Sequence, residues 1–391
     1  MNAGPAPRRI VIVCPTVLRN DAVGNATVAM VSDLAVQNHV TLICRSANRD
    51  DIEITTVGSV GDLLLDRDFL NADLIIYVFA IYSGLFDAML IGNGKAKQIV
   101  RFHNVTPKNL VSDNQHEIID RSLNQVGNFD CVEEIWADSQ ENAEELIRRG
   151  ISPSIILVLP LAVYPVAVAR LSEKPRELIQ ILYVGRFVRS KGLEDLIIAI
   201  SQTRMAISAP FRVRLLGNIH PSSKAYLHQL TTLIDHLGVQ DIVEVGGTAT
   251  HEHLADAYRS AHVFATASLH EGFCVPVIEG LAAGCIPVTY SNSNLRHISG
   301  GLGKLSREDS PSALADAIGS VVTALYDYDN LEPPGLDLDS GQATLEDFDL
   351  AAAAYSERFS PHVCMARIRT RIGKLLRHGD AQNANASTRQ S

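Results

Sequence analysis

Short runs of Val, Ile, Leu and aromatic residues recur along the first part of the chain, separated by polar stretches of helix length. RIVIVC (9–14), HVTLIC (39–44), DLIIYVFA (73–80), QIVRFH (98–103) and EEIWAD (133–138) are apolar almost throughout. A strand exposed on one face would alternate, whereas a parallel strand covered on both faces reads as a continuous apolar run. A segment near 24–37 carries its apolar residues at helical spacing instead. Strands parted by helix-length segments imply right-handed crossovers and a doubly wound sheet, so residues 1–165 are expected to form a Rossmann-like domain.

The pattern restarts after IILVLPLAVYPVAVARLSEKP, where Pro160, Pro165 and Pro175 mark a linker. QILYVG (180–185), FRVRLLG (211–217), DIVEVGG (241–247), AHVFATAS (261–268) and CIPVTY (285–290) then read as strands. Helical segments are expected near 192–203, 222–237, 251–260, 276–283 and 311–325. A second Rossmann-like domain is predicted over 176–345, with YDYDNLEPPGLDLDSG (326–341) as a surface loop. Residues 346–377 are expected to be helices that pack back toward the first domain, and the polar end, 378–391, to be disordered. The predicted class is α/β, with two doubly wound domains facing across a cleft. Ligands of such sheets sit beyond the carboxyl ends of the strands.

The composition agrees with this. A length of 391 residues suits two or three domains, and 46% hydrophobic with 20% charged residues is the balance of a folded soluble protein. The net charge of −10 argues against nucleic acid as a partner. No stretch approaches the roughly 20 apolar residues of a membrane span. MNAGPAPRRIVIVCP carries only a strand-length apolar run, so no secretory signal is expected. The six cysteines form no CxxC pair and no zinc-ligand spacing, as buried thiols of a cytoplasmic protein would.

The strongest chemical signal is HEGFCVPVIEGLAAGCIPV (270–288). A strand leads into His270, Glu271 and Gly272, and a helix starts near Pro276, where a missing N–H is harmless. Gly272 permits close backbone approach, and the helix start favours an anion. Glu271 and Glu279 lie eight residues apart, at most about 12 Å along a helix axis. Two carboxylates at that reach can grip hydroxyls at separate ends of one extended ligand. The second signal is YVGRFVRSKGLEDLI (183–197), a strand ending at Gly185 and a loop with Arg186, Arg189 and Lys191. Arg186 as a fork and Lys191 as a point charge suit a phosphate or diphosphate.

These two segments resemble the retaining GT-B glycosyltransferases of family 4. GR(x4)KG at Gly185–Gly192 resembles the family's diphosphate motif, and E(x7)E at Glu271 and Glu279 its paired glutamates. GGLGKLSREDSPSALADAI (300–318) continues the likeness, which covers most of residues 180–320. Cys274 stands where many members carry glycine. The resemblance implies a GT-B fold and a donor site in the carboxyl-terminal domain. Gly185, Arg186 and Lys191 would hold the diphosphate and Glu279 the ribose. Glu271 would meet the sugar hydroxyls, with Gly272, Phe273, Cys274 and Val275 along sugar and phosphate.

In the first domain RFHNVTP (101–107) presents His103, whose counterpart in similar enzymes lies beside the reacting sugar. Gly24 and Asn25, in RNDAVGNAT (19–27), occupy the place of the family's glycine loop for phosphate or acceptor, with one glycine instead of a pair. WADSQENAEELI (136–147) reads as a helix capped by Ser139. GNGKAK (92–97) lacks the P-loop spacing, and in HEHLADAYRSAH (251–262) His251 and His253 cannot share a helix face, so no metal site with His262 is expected. CMARIRTRIGKLLRH (364–378) is basic and amphipathic, suited to closing the fold or, less well, to anionic lipid headgroups. The expected activity is metal-independent transfer of a hexosyl group, mannosyl or glucosyl, from a UDP- or GDP-linked sugar. No cofactor or metal is expected. A hydroxyl on a saccharide or lipid-linked saccharide would accept, in polysaccharide or glycolipid assembly, in the cytoplasm or peripherally at the inner face of the membrane. Alternatives sharing the fold are an epimerase, a phosphorylase, or a module that binds a sugar nucleotide without turnover; an NAD oxidoreductase is disfavoured because no glycine fingerprint follows the first strand.

Overall fold

A computed structural model describes residues 7–19, 21–217, 224–247 and 249–387, with side chains as far as residue 377. The chain divides into two compact units, one of residues 1–108, 112–162 and 361–391, the other of 109–111 and 163–360.

The first unit holds a parallel sheet of β1 (Arg9–Val13), β2 (His39–Cys44), β3 (Thr55–Thr56), β4 (Leu74–Phe79), β5 (Lys97–Phe102), β6 (Glu134–Ala137) and β7 (Ile156–Val158). Their order is β3-β2-β1-β4-β5-β6-β7, and every residue of the central β4 is buried. The apolar runs are therefore strands covered on both faces, as their lack of alternation requires. β7 lies within the stretch expected to be linker; its three apolar residues extend the sheet by pairing with β6, and the proline-bearing segment begins after it. Two helices matter below: α1 (Ala22–Leu34), capped by the Asp21 side chain on the Gly24 N–H, and α2 (Gln140–Arg148), capped by Ser139 on the Asn142 N–H.

The second unit repeats the design with β8 (Ile179–Val184), β9 (Phe211–Leu216), β10 (Val243–Val245), β11 (Val263–Thr266), β12 (Ile286–Thr289) and β13 (Lys304–Leu305), all parallel, in the order β10-β9-β8-β11-β12-β13. Its helices include α3 (Leu193–Ala206), α4 (Lys224–His236), α5 (His251–Ser260), α6 (Val275–Ala282) and α7 (Pro311–Tyr326). Buried Lys174 joins two of them. Its Nζ donates to Ala283 O at 2.6 Å and also to Ala261 O, the residues that close α6 and α5. A cation at two helix ends meets the negative end of each dipole. The expected surface loop at 326–341 instead contributes a ribbon, Leu336–Leu338 paired antiparallel with Gly341–Ala343, because Leu336 and Leu338 are buried.

The expected helical stretch after 345 breaks at Pro361 into α8 (Leu345–Glu357), in the second unit, and α9 (Pro361–Ser387), in the first. Only α9 thus returns to the first unit. Met365, Ile368 and Ile372 of α9 join the core with Ile10, Ile12 and Trp136. Arg371 reaches Glu134 through Nε at 2.8 Å, and Arg369 pairs with Asp33. The apolar stripe and two of its arginines are thus used within the unit. α9 also continues through 378–387, where a disordered tail is expected; a helix already nucleated extends at one hydrogen bond per residue. Residues 388–391 of that tail lie outside the described residues. No helix among the described residues is long and apolar enough to cross a membrane.

Candidate active site

Three loops at the carboxyl ends of β8, β11 and β12 carry the second unit's chemistry. The first is shaped by glycines. A Cβ on Gly185 would fall 2.5 Å from the Tyr183 hydroxyl, and one on Gly217 only 1.7 Å from Gly185 O. Gly192 has φ of 61°, and its Cβ would lie 2.0 Å from Ala267 O. Only glycine meets both the left-handed backbone and that approach. Between Gly185 and Gly192 the chain turns through Arg189–Lys191 before α3 begins.

The second loop is laced to the first. Leu269 N donates to Ser190 O at 2.9 Å, and the Lys191 ammonium sits 2.6 Å from Glu271 Oε1. Both side chains are mostly covered, 17% and 11% exposed. The third loop, Asn292–Asn294, holds the second in shape. Ser293 Oγ accepts from Glu271 N at 2.9 Å, Asn294 Nδ2 donates to Phe273 O at 2.7 Å, and Asn292 Nδ2 donates to Ser268 O at 3.0 Å. These three residues are absent from the sequence reading. The available signal is SNSN (291–294), a turn-forming cluster directly after a strand of the same sheet edge.

Cys274, the departure from glycine, takes the left-handed conformation at φ of 73° and precedes α6 without capping it through its side chain. Burial pushes its thiol well above the usual range, so it is held as an inert thiol. Phe273 is buried with its ring edge-on to Phe359 at 5.7 Å. Glu279, on α6, accepts from the Tyr258 hydroxyl at 2.8 Å; burial raises its carboxyl pKa and this hydrogen bond opposes the rise. Tyr258 on α5 is a second group missing from the sequence reading. No pattern announces it, because it meets Glu279 from another helix.

Arg186 and Arg189 part company. The Arg189 guanidinium turns to Gln229 at 2.8 Å and Glu194 at 3.3 Å, over the Tyr226 ring. Arg186 is exposed and makes no ion pair or side-chain hydrogen bond among the described residues. It and Glu271 both lie near the buried Tyr183 hydroxyl, as Glu279 and Cys274 both lie near that of Tyr258. Arg186, Lys191, Glu271, Cys274 and Glu279 are thus joined by shared neighbours.

In the first unit His103 follows β5, its N–H bonded to Phe79 O at 2.9 Å. Its Nδ1 lies 2.6 Å from Asp138 Oδ2, and Arg101 Nη2 lies 2.6 Å from Asp138 Oδ1. Gly24 and Asn25 fall in the first turn of α1. A Cβ on Gly24 would meet Leu18 O at 2.5 Å, so this glycine lets the helix start against the preceding loop. Asn25 Oδ1 accepts from Arg49 at 2.7 Å. No three His, Cys, Asp or Glu side chains gather as a metal site among the described residues. His262 is instead a buried neutral imidazole: Nδ1 accepts from Gln180 N at 3.0 Å, Nε2 donates to Pro175 O at 2.9 Å, and burial lowers its pKa to about 4.

Comparison with known proteins agrees with this geometry. The family model described as Glycosyl transferases group 1 matches residues 169–325. The chain is 26% identical over 197 residues to an MMP alpha-(1->4)-mannosyltransferase of Mycolicibacterium hassiacum, covering 50% of this chain and 46% of that one. It is 25% identical over 198 residues to the GDP-mannose:cellobiosyl-diphosphopolyprenol alpha-mannosyltransferase of Xanthomonas campestris, covering 49% and 50%. The matched stretches thus span about half the length of these relatives. Among solved structures, Anabaena HepE in complex with UDP and glucose superposes with a TM-score of 0.69 at 15% identity, over 94% of this chain and all of that one. The chain therefore has the GT-B fold, and its residues 169–325 match the family model of the glycosyl transferases group 1.

Proposed function

We propose that this protein is a retaining glycosyltransferase of family 4 that moves a hexosyl group, mannosyl or glucosyl, from a UDP- or GDP-linked sugar to a hydroxyl acceptor. The observation that carries the reading is the laced pair of loops, with Lys191 against Glu271 and Arg186 left without a partner among the described residues. A cation and a carboxylate in contact suit a ligand that brings an anion and hydroxyls together. The mannosyltransferase relatives and the neighbour solved with UDP and glucose support a nucleotide-linked hexose. The acceptor is a saccharide or lipid-linked saccharide, and the setting is cytoplasmic assembly of a polysaccharide or glycolipid.

Breaking the sugar–phosphate bond leaves positive character on the anomeric carbon and negative charge on the departing diphosphate. In this reading Arg186, Lys191 and the start of α6 stabilise that departing charge, a task assigned to the protein rather than to a metal. Glu279 takes the ribose hydroxyls and Glu271 the sugar hydroxyls, with the Gly185, Gly272, Phe273 and Val275 backbones along the ligand. The departing phosphate oxygen takes the acceptor proton. His103 acts on the reacting sugar in this reading, as the family resemblance implies.

Thermal unfolding against a panel of nucleoside diphosphates and their sugars tests the reading. Binding to the folded state raises the midpoint by mass action, so UDP or GDP and one of their sugars should raise it. A panel without any shift, together with no transfer from any sugar nucleotide, would remove the proposal.

A further inference from the structure

The first unit contains a buried ionic group that the donor site does not use. Arg101 at the end of β5, Asp138 just past β6 and His103 just past β5 have side chains only 4%, 2% and 5% exposed. Asp138 spans the other two, Oδ1 toward Arg101 and Oδ2 toward His103 Nδ1, each at 2.6 Å. The Arg101 contact is an ion pair without hydrogen-bond alignment, and Arg101 Nη1 has no hydrogen-bond partner among the described residues.

Charge decides how His103 is protonated. Arg101 is permanently cationic and already offsets the one negative charge of Asp138. A protonated His103 would leave a buried group with a net positive charge, which burial penalises heavily. A neutral ring with its proton on Nδ1 satisfies Asp138 Oδ2 and keeps the group neutral. The other nitrogen, Nε2, then carries a lone pair.

We propose that Asp138, clamped by Arg101, is a positioning residue that holds the His103 ring with Nδ1 protonated and offers Nε2 as a hydrogen-bond acceptor for a substrate hydroxyl. The inference rests on the reading of His103 given under the proposed function. It adds that the histidine approaches substrate as an acceptor, neither as a cation nor as a donor. The acceptor role follows from Asp138, 35 positions away in sequence and just past the end of the neighbouring strand.

The test uses the full chain with nitrogen-15 histidine, the His103 signals being identified by their loss in His103→Gln. Ring spectra should show the proton on Nδ1 and a bare Nε2; a proton on Nε2 or on both nitrogens overturns the proposal without any variant at Asp138. An amide in place of the carboxylate can donate to Nδ1 and drive the proton to Nε2. Asp138→Asn should therefore lower turnover on the order of tenfold to a hundredfold, as loss of a histidine's orienting partner does elsewhere. Its KM for the sugar nucleotide, and its calorimetric affinity for the nucleoside diphosphate, should stay at the parent values. Unchanged turnover in Asp138→Asn overturns the proposal. In the His103→Ala background, Asp138→Asn should cost nothing more; a second loss of the same factor would show that Asp138 acts independently of the ring, and overturns it. If Asp138→Asn does not fold, the spectrum of the parent protein decides. If no sugar nucleotide is turned over at all, the glycosyltransferase reading fails while the ring spectrum still judges the protonation of His103.

Discussion

The two units solve the placement of charge in opposite ways. In the second, the groups stand on loops at the sheet's carboxyl edge, Arg186 exposed and the Lys191–Glu271 pair mostly covered but not sealed. In the first, Arg101, Asp138 and His103 are sunk at the ends of two adjacent strands and almost sealed from solvent. Open charge on glycine-shaped loops can exchange partners when an anionic ligand arrives. Closed charge cannot, because separating a buried pair strands an uncompensated ion. Under the two proposals, one half is built to receive and the other to keep one group in one state.

The largest expected effect tests the open half. Arg186→Ala should lower turnover between about tenfold and a thousandfold, about 1.4–4 kcal/mol, with an unchanged unfolding midpoint because its guanidinium has no partner to lose among the described residues. Near-normal turnover in the purified variant would erase the contrast between the units.

Next comes the second unit's own closed histidine. His262 has a folded pKa of about 4 against an ordinary 6.5. The unfolded chain therefore binds the proton more readily, so the contribution is full above pH 6.5 and is lost as pH falls toward 4. The loss amounts to about 3 kcal/mol at most. Chemical denaturation at a series of pH values should show that slope in the parent and a shallower one in His262→Gln.

Gly24→Ala should destabilise the first unit by about 1–3 kcal/mol, read in the same denaturation experiment, since a Cβ there meets Leu18 backbone. If stability is untouched and acceptor kinetics collapse instead, Gly24 belongs to an acceptor loop. Tyr258→Phe removes a single hydrogen bond to Glu279 and should weaken nucleoside diphosphate binding about fivefold, near 1 kcal/mol, by calorimetry. The smallest effect is Arg189→Ala, within about threefold in turnover, because that arginine is occupied by Gln229 and Glu194. A loss matching that of Arg186→Ala would show the whole loop, rather than one side chain, to be the anion site.

Most of the open half is legible in the sequence, because local constraints write it. Gly192 marks backbone that no other residue fits, Gly185 lets the chain pass the Tyr183 ring, and the strand runs before 185 and 267 fix the sheet edge. The closed half is legible only at His103. Asp138 shows as the residue before a helix cap, and its partners arrive from a neighbouring strand, a pairing no local pattern encodes. Tyr258 is hidden for the same reason. The strands Thr55–Thr56 and Lys304–Leu305 are too short to form a pattern, and Leu336 with Leu338 sits inconspicuously in an acidic, proline-bearing stretch. The break between α8 and α9 at Pro361 sends the two helices to different units, which periodicity alone does not foresee.

Contact between Lys191 and Glu271 has a consequence for which molecules are admitted. A bare inorganic anion that draws the ammonium away abandons a largely covered carboxylate, and so gains little. A visitor bearing acidic oxygens at one end and hydroxyl groups at the other compensates both partners at once. Under the proposed function, the resting bridge is a filter that opens only to two matching chemistries presented together.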